Sequence, residues 1–260
     1  MGEAFYDQLD ADRFRSTTWT TGPWDPGAQH GGPPGALLAR AVEGCRARPE
    51  MMVARLTIEI LRPVPVADLE VSAEVARPGR SVEMVGASLR SADGVEVARA
   101  TAWRVLRTQA QPVPDRHPVA PDLPPGGSFE APDGWVDGYL SAIDWRTARG
   151  GFAEPGPSAV WTRMRHPLVG GEDPSPLQRV MVVADSGNGV SGELDLRQWL
   201  FINPELTVHL HREPAGEWVC LDAATTVSTG GVGLATSVLS DRSGPVGVGA
   251  QSLLVAPRGS

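Results

Sequence analysis

Repetition is what most limits how this chain can fold. Residues 53–107 read as a meander of β-strands, with apolar and polar residues alternating through RLTIEIL, DLEVSAEVAR, SVEMVGASLRS and VEVARATAWRVL, parted by Pro-Val-Pro, Pro-Gly and Asp-Gly turns. Residues 205–257 read the same way, and the two stretches superimpose at an offset of 150 without a gap. Thr57 then falls on Thr207, Arg62 on Arg212, Ala73 on Ala223, Leu89 on Leu239, Gly94 on Gly244 and Ala100 on Ala250. Because strands and turns stay in phase along with these identities, the pattern is an internal duplication.

A helix is expected ahead of each meander. In the first half Pro33 and Pro34 open it, and Leu37, Leu38 and Val42 form its apolar stripe. In the second, Ser175 can cap, Pro176 suits the first helical position, and Gln178 stands where a capping box wants it. Leu177, Val180, Met181 and Ala184 then fall at i, i+3, i+4 and i+7, and Asp185 lands on that same face at i+8. A carboxylate turned inward needs polar company; the alternative is a helix-end acid turned to water. Residues 108–134 are proline-rich and read as a surface linker, which divides the chain into a repeat over 1–107, the linker, and a second repeat over 135–260.

Several function classes fall away. The formal charge of −8 and the scattered arginines argue against a nucleic-acid surface. No apolar run approaches a membrane span, and the acidic N-terminal segment lacks the apolar core of a signal peptide. Cys45 and Cys220 lie far apart in no metal or redox spacing, so a reduced cytoplasmic protein with small buried thiols is expected. Gly187 to Gly192 fit G-x-G-x-x-G, but a dinucleotide loop wants a strand before the glycines and a helix after them, and here the preceding apolar run is capped as a helix. Those glycines instead suit a helix end or a close approach. His209 and His211 alternate on a strand with no third ligand nearby, and Ser186 and Ser191 sit in no G-x-S-x-G. Of the tryptophans, Trp24, Trp135, Trp145, Trp161 and Trp199 among them, most are expected in the core and a few along an acyl groove.

A helix and a strand meander, twice over with a proline-rich connection, resemble a double hot-dog of the α+β class, in which antiparallel sheets wrap central helices. In particular, His30-Gly31-Gly32 followed by PPGALLARA, Arg55 with LTIEILRPVP, Leu210-His211-Arg212, and Ala250-Gln251 in the last strand resemble the acyl-CoA thioesterase II (TesB-like) family and its actinobacterial members over about residues 20–257. The resemblance implies a water-holding set of an Asp on the second helix, a Thr or Asn, and a Gln in the last strand. Here these would be Asp185, Asn203 and Gln251, with Asn203 standing where the family has threonine and Thr207 as the nearby substitute. An Asn amide both donates and accepts, so it can still position water. Asp185 would be the base for attack of water on a thioester, and the Gly31 and Gly32 N–H groups, beside His30, would meet the oxygen that gains charge. His30 itself is expected to order this loop by hydrogen bonding.

Under the duplication Gln251 falls on Thr101 and Asn203 on Val53, while matching the helix starts puts Asp185 on Val42, so one working site per chain is expected. The resemblance calls for no metal or organic cofactor. It calls for a small acyl-CoA or related acyl thioester as substrate, for no membrane or nucleic-acid partner, and for a homo-oligomer, since free sheet edges are liabilities. Two other readings stay open: an acyl-thioester-binding protein without activity, and a hydratase or dehydratase, for which only His30 could serve as the histidine.

Overall fold

In a computed structural model of the chain, the described residues are 3–111, 113–114, 116, 118–126, 137–152, 154–195 and 197–259. The first half contains β1 (Tyr6–Gln8), β2 (Arg13–Ser16), α1 (Gly32–Gly44), β3 (Met51–Ile60), β4 (Asp68–Arg77), β5 (Val82–Ser91) and β6 (Glu96–Leu106). The second contains β7 (Ile143–Arg149), β8 (Ser158–Met164), α2 (Pro176–Ala184), α3 (Gly187–Val190), β9 (Trp199–Ile202), β10 (Glu205–Leu210), β11 (Val219–Val227), β12 (Val232–Asp241) and β13 (Gly244–Pro257). Both expected meanders and both expected helices are present. The hairpins β1–β2 and β7–β8, which precede each helix, were not anticipated, nor were α3 and β9.

One antiparallel sheet joins the halves in the order β1-β2-β4-β5-β6-β3-β10-β13-β12-β11-β8-β7, with β9 on β13. The order reads the same from either end once each strand is exchanged for its repeat, so the duplication is a local two-fold. Its axis passes where β3 meets β10. There Thr57 stands opposite Thr207, Leu56 opposite Val208 and Ile58 opposite Leu206, and the Thr207 hydroxyl bonds the Thr57 hydroxyl at 3.1 Å.

The gapless superposition fails by one residue in the last strand. Thr57 faces Thr101 across β3–β6, whereas Thr207 faces Ala250 across β10–β13. Ala250 is therefore the counterpart of Thr101, and Gln251 that of Ala102. The turn between β12 and β13 is shorter than that between β5 and β6, and a one-residue slip in a strand changes the face of every side chain after it. Thr101 accordingly points outward and is exposed, while Ala102 and Gln251 both point inward and are buried.

The sheet curls around α1 and α2, whose Leu37, Leu38, Val42, Val180 and Met181 enter one continuous apolar core with Leu56, Val85, Leu89, Leu206, Leu221 and Leu239. Ser175 caps α2 by accepting from Gln178 N at 3.1 Å. The reciprocal half of the capping box is replaced: Gln178 Nε2 donates at 2.9 Å to Glu43 near the end of α1, to which Ser175 Oγ also donates at 2.8 Å. A carboxylate is the stronger acceptor, and it also lies well at a helix N-terminus.

Of the expected linker, residues 112, 115, 117 and 127–134 lie outside the described residues. Its described part has no regular structure and lies on the outer face of the second-half sheet. Trp161 Nε1 donates to Pro121 O and Arg146 to Pro124 O, both at 2.9 Å, and Ala120 and Leu123 cover Ala159, Trp161 and Cys220.

Candidate active site

Asp185 ends α2 and is 5% exposed. Three elements bring polar groups to it. Gln251, inward on β13, donates from Nε2 to Asp185 Oδ1 at 3.2 Å and to the Asp185 backbone carbonyl at 3.1 Å, so that it also caps the helix. Its Oε1 accepts from Asn188 N at the start of α3, at 3.1 Å. One backbone acceptor and one backbone donor thus fix the amide the right way round. Gly187 lets this happen: a Cβ there would stand 2.7 Å from Ser237 Oγ and 3.1 Å from Gln251 Oε1. The glycine run singled out in the sequence serves close approach.

Asn203 donates from Nδ2 to Asp185 Oδ1 at 2.7 Å. A break between β9 and β10 explains its direction. Ile202 pairs with Leu254, and Thr207 with Ala250, so one residue is gained between the two strands. In β9 the odd-numbered Trp199 and Phe201 pack inward; in β10 the even-numbered Leu206 and Val208 do. Asn203 keeps the phase of β9 and faces in, and Pro204, which has no N–H for the ladder, follows it. β3 has the same irregularity between Val53 and Arg55, and there the first half has Val53 where the second has the amide of Asn203. Thr207, the substitute candidate, instead bonds Thr57 and Glu205 on the outer face.

The N-terminus of α1 closes the site. An ideal Cβ on Gly31 would lie 2.6 Å from Asp185 Oδ2, and one on Gly32 would lie 1.9 Å from Val182 O. Of the donors that begin this helix, Pro33 and Pro34 have none, and Gly32 N–H is taken by His30 Nδ1 at 3.1 Å. Gly31 N–H has no acceptor among the described residues, and it sits with the positive end of the helix dipole beside the carboxylate.

His30 is 5% exposed, and its Nδ1 lies 3.6 Å from Asp185 Oδ2. Burial pushes the imidazole below its usual range, and the Asp185 charge, which pulls the other way, does not offset it. A neutral ring whose Nδ1 accepts from Gly32 has its proton on Nε2. The contact to Asp185 is then two acceptors facing each other and no ion pair. Linkage follows. Near neutral pH the ring is uncharged folded or unfolded. As pH falls through about 6.5 the unfolded chain takes up a proton that the folded chain refuses, and stability drops. Tm should therefore decline more steeply from about pH 7.5 to about pH 5.5 in the wild type than in His30→Gln; equal slopes would refute the neutral, buried ring.

Aromatic rings line one side. His30 stacks on Tyr139 at 3.7 Å between centroids, Tyr139 meets the edge of Trp145 at 6.2 Å, and Trp145 meets Phe152 at 5.3 Å. Trp24 lies 6.1 Å from His30 and is 60% exposed, whereas Trp145 and Trp161 are core residues. Trp135 lies outside the described residues.

Comparison with known proteins gives the same picture. Residues 20–105 match the acyl-CoA thioesterase N-terminal domain, and residues 114–255 match the acyl-CoA thioesterase C-terminal domain. No curated protein matches. Among solved structures, a conserved protein with hot dog fold from Alicyclobacillus acidocaldarius superposes with a TM-score of 0.75 at 18% identity, covering 97% of this chain and 96% of that one. The tesB protein of Mycobacterium avium subsp. paratuberculosis superposes at 0.68 with 16% identity, over 97% and 96%. The acyl-CoA thioesterase II TesB2 of Mycobacterium marinum superposes at 0.66 with 18% identity, over 98% and 96%. Among the described residues, no helix is long and apolar enough to cross a membrane. With both domain models matched in order along a double hot-dog, this chain belongs to the acyl-CoA thioesterase family, whose general activity is thioester hydrolysis.

Proposed function

We propose that the chain hydrolyses an acyl-CoA to a free acid and CoA at Asp185, with one site per chain. The observation that supports this best is the convergence of Asn203, Gln251 and the α1 N-terminus on one buried carboxylate, while the first half has Val53 and Ala102 in the places of the two amides. Asp185 Oδ1 is held by both amides, which leaves Oδ2 for water. Oδ2 accepts from that water, and the His30 ring, whose Nδ1 lies 3.6 Å from Oδ2 and already accepts from Gly32, walls its far side. The water oxygen attacks the thioester carbonyl carbon as Asp185 takes a proton. Gly31 N–H donates to the carbonyl oxygen as it becomes an oxyanion. Collapse breaks the C–S bond, and the departing thiolate takes the proton from Asp185. The exposed Trp24 offers an apolar surface beside His30 for part of the substrate.

Thiol release from acyl-CoAs of about C2 to C18 tests this. Turnover by the wild type is expected, with Asn203→Ala and Gln251→Leu each lowering kcat by about 10–100-fold and leaving KM within a few-fold, as for groups that orient the reactants. Tight binding of acyl-CoA without thiol release would refute the reading. Self-association belongs to the same proposal, since among the described residues no further strand pairs with the outer edge of β7; light scattering that gave only monomer would remove that part.

A further inference from the structure

Tyr139 lies in the loop before β7, is fully buried, and touches both sides of the Asp185 site. Its ring face lies parallel to His30, 3.7 Å between centroids and 5° between planes. Its hydroxyl donates to Val182 O at 2.9 Å and meets Ser186 Oγ at 2.8 Å. Since a phenol has one proton to give, Ser186 is the donor in the second bond. Val182 and Ser186 flank Asp185 along the end of α2. The tyrosine is itself fixed, with its backbone N–H on Thr21 O at 3.0 Å and its ring against the edge of Trp145.

We propose that Tyr139 is a positioning residue that sets the separation of His30 from Asp185, its ring holding the imidazole and its hydroxyl holding the helix end that presents the carboxylate. The case is geometric. Among the described residues the His30 ring has one hydrogen bond, from Gly32 N–H to Nδ1, and a ring bound at one atom can still tilt about that bond. The parallel face of Tyr139 removes the tilt, as stacked rings do. Helix ends leave carbonyls without intrahelical partners; at the α2 terminus Gln251 takes that of Asp185 and the Tyr139 hydroxyl takes that of Val182. One side chain therefore spans the two walls between which the water would sit. This inference rests on the hydrolytic reading for its kinetic consequence, but its structural content can be measured without turnover.

Two variants separate the contacts. Tyr139→Phe keeps the ring and loses the hydroxyl; Tyr139→Met fills a similar space and has no aromatic face. On the acyl-CoA that turns over fastest, Tyr139→Met is expected to lower kcat by about 100-fold and Tyr139→Phe by about 10-fold, both with KM within about threefold, since a small misplacement of reacting groups falls on kcat. In parallel, nitrogen-15 spectra of histidine-labelled protein, with His30 assigned by its loss in His30→Gln, should show one fixed tautomer with an unprotonated Nδ1 and a ring-current shift. Both features should persist in Tyr139→Phe and be lost in Tyr139→Met. A folded Tyr139→Met with unchanged kcat or an unchanged His30 spectrum overturns the proposal. So does a Tyr139→Phe whose His30 signals show tautomer exchange, and this arm decides the matter if the methionine variant does not fold. If the wild type releases no thiol, the hydrolytic reading fails, and the spectra alone decide the positioning role.

Discussion

Asp185→Asn is expected to lower kcat for thiol release by about 100- to 10,000-fold, the range typical for removing a general base, while the protein stays folded. The substitution suits the site because it changes charge and basicity with little change in shape. The new side chain can turn its oxygen to Asn203 Nδ2 and Gln251 Nε2, which now donate to Asp185 Oδ1, and its NH2 group to the water expected at the place of Oδ2. Both amides keep an acceptor, so no buried donor is orphaned, and Tm should stay within a few degrees of the wild type. A base lost from a folded enzyme should lower kcat and kcat/KM together. Retention of kcat within about threefold would remove Asp185 as the base. His30 could not then replace it in its present state, because its Nδ1 is occupied by Gly32 N–H.

How far the site could be read from the sequence depended on whether local period or long-range geometry places each residue. The helical count from Leu177 put Asp185 on the buried face, where it lies. The eight meander strands followed from alternation and turn residues, and β7, with inward Ile143 and Trp145, follows the same rule and could have been found by it. β2, with one inward apolar side chain, Phe14, between two arginines, is too short for a period to show. Asn203 is different. Its direction comes from a one-residue bulge ahead of Pro204, and a bulge has no hydrophobic signature, so its position by Asp185 was reachable only through family resemblance. The counterpart of Gln251 was misplaced for a related reason: an offset taken from six matching residues cannot sense a turn shortened by one. The stack of His30 on Tyr139 joins two irregular segments from different halves, and nothing in either segment's pattern points to the other.

The second large effect is expected on stability. Gly32→Ala should lower Tm by about 6–12 °C, the equivalent of about 3 kcal/mol in a chain of this size, and should take activity with it. The new methyl carbon would stand 1.9 Å from Val182 O and 2.9 Å from its carbonyl carbon. The obstacle is backbone of α2, so no side-chain rotamer can relieve the overlap and the helices must part. Alanine is the better helix former by about 1 kcal/mol, so propensity alone predicts the opposite sign, and the direction of the change tells packing from propensity. Gly44, at the other end of α1, has nothing within 4 Å of a built Cβ and serves as the control: Gly44→Ala should hold or raise Tm. Parting the helices at Gly32 would also move Gly31 and His30 away from Asp185, which ties the fold to the chemistry. The close crossing that stabilises the two helices is the same contact that brings Gly31, the residue ahead of α1, to the carboxylate of Asp185. Gly32→Ala with an unchanged Tm would mean that the helices do not meet this closely, and the oxyanion role of Gly31 would fall with that contact.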